Sequence, residues 1–177
     1  MISKWETLNS KEQGRGKIFR HRVVTRKSPD SGNSGEFDVI DCLNWVNVVA
    51  LNSEGHFVMV KQYRHGSNDV TLEIPGGAID LGEDPKQAAM RELEEETGYK
   101  CDEMILLGKV RPNPAFMTNH CYTFLAKNCH LSSNQNLDHL EEIDVVIIDQ
   151  TEIKNKIKSG EIDHSLVIAA FHYFFTR

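Results

Sequence analysis

Residues 77–99 read GAIDLGEDPKQAAMRELEEETGY, and what this stretch encodes decides the fold. It follows a short strand, Thr71 to Ile74, that ends against Pro75-Gly76-Gly77; beyond the glycines the pattern changes from a period of two to a helical one. Asp84-Pro85-Lys86-Gln87 is a helix start. Asp84 can cap, Pro85 suits the first helical position, and Gln87 can complete a capping box. Gly98 supplies the stop, because glycine readily takes the left-handed conformation. Between them Ala89 and Leu93 lie one turn apart on an apolar stripe.

Glu92, Glu95 and Glu96 stand at i, i+3 and i+4, so their carboxylates project from one helix face. Three like charges there cost roughly 0.2–0.5 kcal/mol per close pair. Arg91, four residues before Glu95, offsets only part of that. A divalent cation would turn the repulsion into coordination, and an all-oxygen donor set suits magnesium or manganese rather than zinc. Glu83 can reach the same region from the preceding loop. Gly76 and Gly77 permit close backbone approach, so a main-chain carbonyl can join the metal shell. The competing reading is a solvated acidic helix face. Spacing decides between them: the stretch fits G-x5-E-x7-R-E-U-x-E-E-x-G-U, with U a bulky apolar residue, through Gly77, Glu83, Arg91, Glu92, Leu93, Glu95, Glu96 and Gly98. From average residue usage a chance fit somewhere in this chain is on the order of 10⁻⁷. Tyr99 takes the last position, where an aliphatic residue is usual.

Working outward, Ile18 to Thr25 and Phe37 to Cys42 read as strands separated by a turn over Ser28 to Gly35. Trp45 to Leu51 and Phe57 to Arg64 flank the hairpin loop Asn52-Ser53-Glu54-Gly55. Met104 to Val110, Cys121 to Ala126 and Ile143 to Ile148 are further strands. Asp149 with Glu152 can cap a short helix closed by Gly160, and a last helix runs from about Asp163 to Phe175. Strands outnumber helices and are joined mainly by hairpins, so the class is α+β with a mixed sheet. Residues 1–177 read as a single domain, with about 1–43 as N-terminal strands and about 44–177 as the catalytic core.

The chain has 177 residues, 40% hydrophobic and 26% charged, with a net charge of −6. That balance gives no general affinity for nucleic acid or an anionic membrane, and an anionic substrate would need local cations. The polar N-terminus, Met1 to Glu12, has no apolar signal segment, and the run Leu166 to Phe175 is too short to span a bilayer, so a cytoplasmic location is expected. None of the four cysteines, Cys42, Cys101, Cys121 and Cys129, forms a C-x-x-C pair. His120-Cys121 with Cys129-His130 has the look of a zinc set, yet residues 121–127 alternate as a strand does.

The motif through Gly77, Glu83, Arg91, Glu92, Glu95, Glu96 and Gly98 is the Nudix box, and the chain resembles the Nudix hydrolase family over most of its length. The resemblance implies an α/β/α sandwich around a mixed sheet, with the box as loop–helix–loop. It also implies magnesium-dependent hydrolysis of nucleoside diphosphates linked to another moiety. By the same resemblance Glu92 and Glu96 would be the main metal ligands, with Glu95 a further one and the Gly76 carbonyl contributing. Arg91 would orient a box glutamate, and Glu83 and Gly77 would support the site.

Gln62-Tyr63-Arg64, Leu72-Glu73-Ile74-Pro75-Gly76-Gly77, and Pro114 within Arg111-Pro112-Asn113-Pro114 look like the ADP-ribose pyrophosphatase and nucleotide-sugar hydrolase branch. Leu140-Glu141-Glu142-Ile143 is similar to that branch's acidic loop. Arg64 can grip a diphosphate with two parallel hydrogen bonds, or it can be a surface ion-pair partner. Glu73 can touch ribose or metal, or merely cap the loop. Trp5, Phe116 and Met117 are possible base-stacking residues, whereas Trp45 reads as core. Box carboxylates committed to metal are poor proton acceptors, so a base has to come from elsewhere. The branch places it on a loop glutamate just before a strand, which is Glu141 here, with Glu142 one residue away and His139 a third choice. ADP-ribose, cleaved to AMP and ribose 5-phosphate, is the favoured substrate. A house-cleaning nucleoside triphosphatase and a non-catalytic nucleotide sensor are the alternatives. Members of the branch are commonly homodimers whose N-terminal strands reach the partner, which implies the same assembly here.

Overall fold

In the computed structural model, which describes residues 1–177, the first strand is one that hydrophobic periodicity misses. Glu6–Arg15 (β1) pairs antiparallel with Phe19–Lys27 (β2), which pairs antiparallel with Ser34–Cys42 (β3). Every residue of β1 is exposed, so no alternation marks it. It is held by its ladder and by side chains that reach it from β2: Arg22 Nη1 donates to Ser10 Oγ at 2.8 Å. Just upstream, Trp5 meets Phe37 edge-on, with ring centroids 5.7 Å apart. The turn before β3 is tighter than the composition of residues 28–35 suggests. Ser28 N donates to Asn33 O at 2.8 Å, and Gly32 takes φ 75°. On β3, Asp41 accepts from Arg22 Nε at 2.6 Å and from Arg20 Nε at 3.0 Å, and hydrogen bonding to Arg22 holds its carboxyl down at about 2 against the push of partial burial.

These strands form one compact unit, Met1–Leu43 with Arg111–His120; the second is Asn44–Val110 with Cys121–Arg177. Within the first, β3 binds the later segment through Ile40 N to Phe116 O at 2.8 Å and Thr118 N to Ile40 O at 3.1 Å.

The second unit contains Trp45–Asn52 (β4), Phe57–Arg64 (β5), Asp69–Glu73 (β6), Pro85–Thr97 (α1), Tyr99–Lys100 (β7), Glu103–Val110 (β8), Cys121–Leu131 (β9), Ile143–Ile148 (β10), Gln150–Ser159 (α2) and Ser165–Phe175 (α3). Its seven-stranded sheet runs β10-β5-β4-β9-β7, with β6 on β5 and β8 on β9. The β4–β9 pair is parallel and the others antiparallel, so the sheet is mixed. Alternation along the strands divides the interior into two cores. Val46, Val48, Ala50, Val58, Phe124 and Ala126 pack against Ala88, Ala89 and Leu93 of α1. Val49, Phe57 and Met59 face the other way, onto Ile153 of α2 and Val167, Ala170 and Phe171 of α3. Helices thus cover both faces, the expected α/β/α arrangement.

Strand β9 runs on past Ala126 to Leu131, where it pairs with β7. Asn128 breaks the alternation there with φ 53°, which explains why the pattern ends early. Cys121 and Cys129 are buried on this strand, and burial pushes both thiols up to about 12. No helix is long and apolar enough to cross a membrane.

Candidate functional site

Helix α1 forms as its caps dictate. Asp84 accepts from Lys86 N at 2.9 Å and Gln87 N at 3.3 Å, and Gly98 at φ 74° returns its N–H to Glu94 O at 2.7 Å. With Ala88, Ala89 and Leu93 buried against the sheet, the helix is fixed in rotation, and that rotation also buries Glu96. The loop before it is laid along β4: Val48 N donates to Pro75 O at 2.8 Å and Val46 N to Gly77 O at 2.9 Å. Both box-side positions there need glycine. A Cβ on Gly76 would stand 2.2 Å from Val46 O, and one on Gly77 would stand 2.5 Å from Glu92 Oε1. The absence of those carbons lets Gly76 N donate to Glu96 Oε2 at 2.9 Å.

Arg91 is the hub of the box. Its Nε and Nη2 each reach Glu83 at 2.9 Å, Nη2 also reaches Ala78 O at 3.1 Å, and Nη1 reaches Glu92 at 2.8 Å and Glu95 at 3.0 Å. Glu83 in turn accepts from Asp80 N at 3.0 Å. The Glu83 hydrogen bonds raise the Arg91 pKa, against the opposing effect of its own burial.

Two carboxylates are also raised in pKa, which favours their neutral form. Burial pushes Glu96 up to about 8; the Gly76 N–H opposes this, while the charges of Glu92 and Glu141 add to it. Burial also pushes Glu92 up against the pull of Arg91, with Glu95 and Glu141 adding. Glu141 therefore lies close enough to the box to act on both. It sits in a turn of its own, with its N–H on Asp138 O at 2.9 Å and its Oε2 accepting from Asp138 N at 3.1 Å.

Arg64 of β5 reaches along the β5–β6 hairpin to Glu73 of β6. Arg64 Nε and Nη2 grip Glu73 at 2.7 and 2.8 Å, and Thr71 Oγ1 donates to Glu73 at 2.6 Å. Glu73 is buried; desolvation would raise its pKa, yet Arg64 and Thr71 hold it below the ordinary carboxylate value. The Arg64 side chain keeps 41% of its surface exposed, and the charges of Glu96 and Glu141 also bear on it. Arg64 is thus an ion-pair partner with an open side toward the box. Pro114 belongs to the first unit, beside a turn in which Phe116 N and Met117 N donate to Asn113 O at 3.3 and 2.8 Å.

Arg91 and Gly76 engage one oxygen each on Glu92, Glu95 and Glu96, so each carboxylate retains a second oxygen. No three acidic, histidine or cysteine groups are drawn together in coordination geometry. The donor chemistry nevertheless fits a hard divalent cation: buried carboxylates with raised pKa values, an excess of negative charge, and only oxygen donors. Thr71 and Ala78 were not foreseen as members of this site. Thr71 was within reach of sequence reasoning, since residues two apart on a strand share a face; the Ala78 carbonyl left no side-chain signal. Trp45 is half-buried rather than core.

Comparison with known proteins agrees with this geometry. The NUDIX domain model matches residues 44–171. A methanol dehydrogenase activator from Bacillus methanolicus is 34% identical over 163 residues, covering 88% of this chain and 87% of that protein. An ADP-ribose pyrophosphatase from Bacillus subtilis is 28% identical over 173 residues, covering 95% and 94%. A crystal structure of an ADP compounds hydrolase superposes with a TM-score of 0.87 at 19% identity, over 99% of this chain and 95% of that one, which establishes the shared fold. With its box intact at Gly77, Glu83, Arg91, Glu92, Glu95, Glu96 and Gly98, the chain belongs to the Nudix hydrolase family.

Proposed function

We propose that this protein hydrolyses the diphosphate linkage of nucleoside diphosphate sugars in the presence of magnesium, with ADP-ribose the favoured substrate and AMP and ribose 5-phosphate the products. One observation carries the reading: Arg91 joins Glu83, Glu92 and Glu95, and Gly76 N holds Glu96 beside them, so four carboxylates of the box are gathered at one site. The relation to ADP-ribose pyrophosphatases supports the choice of substrate.

Glu92 and Glu96 would hold the cation, with Glu95 and the Gly76 carbonyl as further donors. A bound magnesium or manganese ion would neutralise charge on the phosphoryl oxygens and acidify the attacking water. Arg91 keeps Glu92 and Glu95 in place and Glu83 steadies Arg91. Arg64 would contact the diphosphate from its exposed side while retaining Glu73. Glu141, outside the box, would position or deprotonate the water. Pro114 would shape the substrate loop.

The test is phosphate release with coupled alkaline phosphatase across ADP-ribose, GDP-mannose, UDP-glucose and GTP, with magnesium, manganese or chelator. ADP-ribose should lead the panel and chelator should abolish turnover; a preference for GTP would favour the triphosphatase. Glu141→Gln should lower kcat by roughly 10²–10⁴-fold, the usual contribution of a positioned base. If Glu142→Gln is the inactive variant instead, the base lies one residue further on.

The 34% identity to a methanol dehydrogenase activator favours a second reading, in which the same site serves a regulator of another enzyme. Nucleotide binding without turnover of any panel member would favour it. For assembly, the antiparallel strands β1–β3 support a homodimer; a monomeric mass by light scattering at micromolar concentration, with full activity, would count against that.

A further inference from the structure

The last four carbonyls of an α-helix have no partner within the helix and must be satisfied from outside. In α1 the Glu94 carbonyl is taken by the C-cap, Gly98 N, at 2.7 Å. The next two are served by the loop that leads to Glu141. Asn136 N donates to Glu95 O at 2.9 Å, and Gln135 Nε2 donates to Glu96 O at 2.6 Å. The same Nε2 donates to Ile143 O at 3.0 Å. A side-chain amide carries two N–H groups, so Gln135 commits both.

The two acceptors lie at opposite ends of the problem. Glu96 belongs to the metal-binding face of α1, and Ile143 opens β10 two residues after Glu141. One amide therefore ties the exit of the loop to the helix that carries the box glutamates. Apolar packing contributes little to that tie. Leu140 is 80% exposed, and residues 132–136 and 138–142 are all exposed. An open polar cleft of ≈ 370 Å³, lined by Arg91, Glu94, Glu95, Ser133, Asn134 and Asn136, further separates the loop from the helix. With so little buried surface between its ends, hydrogen bonds place the loop: Ser132 N and Ser133 N hold its start on Gly98 O at 2.9 and 3.1 Å, Ile143 joins the sheet opposite Gln62 at its exit, and the bonds to Glu95 and Glu96 are the ones that tie its middle to α1.

We propose that Gln135 is a positioning residue for hydrolysis: through its paired hydrogen bonds to the Glu96 and Ile143 carbonyls it sets where Glu141 stands relative to Glu92 and Glu96. This rests on Glu141 being the group that handles the attacking water. Misplacing such a group by about 1 Å costs on the order of 10²-fold in rate. A mere loop staple would alter stability and leave the chemical step alone.

The test is a double-mutant cycle with Gln135→Met, which keeps the length of the side chain and removes both donors. Gln135→Met should lower kcat by roughly 10–100-fold, with KM and the magnesium requirement changed by less than about threefold. In the Glu141→Gln background it should have almost no further effect, since the group being positioned is gone. Faster hydrogen exchange over residues 136–142 in Gln135→Met, measured without substrate, gives a readout independent of activity. Wild-type kcat in Gln135→Met, or an equal fold loss in both backgrounds, would overturn the positioning role. A Glu141→Gln variant with wild-type kcat would instead refute the base assignment, and Gln135 would then have nothing to position.

Discussion

Replacing Gly76 by alanine separates the two demands that the glycine turn meets. The added Cβ would lie 2.2 Å from Val46 O, 2.8 Å from Asn47 Oδ1 and 3.0 Å from Asn47 Cα. Two of these atoms are backbone in β4, where Val46 and Val48 are fully buried. The strand cannot give way cheaply, so the loop must move out by about 1 Å to restore ordinary contact distances. That movement loosens Val46 N to Gly77 O and Val48 N to Pro75 O. Overpacking costs roughly 1–3 kcal/mol, and each weakened bond about 1 kcal/mol. The sum is about 3–5 kcal/mol. For a domain of this size, roughly 2–4 °C of Tm per kcal/mol makes the expected drop about 6–20 °C. Gly77→Ala is the control one residue away. The three atoms nearest its Cβ would be those of the Glu92 carboxylate, at 2.5–2.6 Å. A flexible side-chain end can move, so the Tm should fall by a few degrees at most. Glu92 would then be displaced, and magnesium-dependent turnover should fall. Thermal unfolding of both variants, alongside magnesium titration of activity, gives the comparison. A Gly76→Ala protein that melts within about 2 °C of wild type, or a Gly77→Ala protein that is the less stable of the two, would refute this account of the turn.

Three further outcomes follow from the same geometry. Glu96→Gln should remove nearly all turnover at saturating magnesium while leaving Tm nearly unchanged, because burial already favours the neutral form of this carboxyl and the glutamine oxygen keeps an acceptor for Gly76 N; wild-type kcat would refute its role. Arg64→Ala should raise KM and also destabilise the fold, since Glu73 is left buried without its guanidinium, whereas Arg64→Lys should recover stability more than KM because the fork is lost; kinetics and urea unfolding separate the two effects, and an unchanged KM in both variants would reduce Arg64 to a structural partner. Asp41, held at about 2 by Arg22 and Arg20, contributes stability that is present above about pH 4, the ordinary aspartate range, and lost as the pH falls from about 4 to 2; with solvent screening of this partly exposed cluster, the contribution is about 1 kcal/mol. Asp41→Asn should close that gap, so acid melts of the two proteins should converge near pH 2 and differ at neutral pH.

Which parts of the fold could be read from sequence depends on which physical signal each part carries. Helix α1 was legible to the residue because Asp84, Pro85 and Gly98 act locally, and Ile143–Ile148 because its flanks are polar. Strand β1 was not: every one of its residues is exposed, so no alternation marks it, and what holds it is the backbone ladder of its hairpin with β2. The extension of β9 and the two-residue β7 are visible only in each other, since neither keeps a period of its own beyond Asn128. Within the site, the box residues were legible because the Nudix box fixes their spacing along one helix. The Arg64–Glu73 fork was half legible: both residues drew notice separately, but the β5–β6 register puts Arg64 opposite Asp69 and Glu73 opposite Val60, so the long Arg64 side chain reaches Glu73 along the hairpin. Gln135 left no trace, because a side chain that caps a helix remote in sequence obeys no local period.

The charge pattern of the box gives the deeper reason why site and fold diverge in legibility. Arg91 is one cation shared among Glu83, Glu92 and Glu95, and Glu96 has only a backbone N–H. Arg64, the next cation, is already committed to Glu73. Local preferences alone would not retain such a helix face, since like charges one turn apart repel and burial makes the repulsion worse. The fold tolerates it because Ala88, Ala89 and Leu93 hold the helix down by apolar packing, which is indifferent to the charges on its far side. Stability and function are therefore carried by opposite faces of the same thirteen residues. The apolar face follows the rules that make secondary structure predictable. The acidic face breaks them, and a local rule broken at fixed spacing, with one guanidinium shared among three carboxylates, is where a functional site is expected.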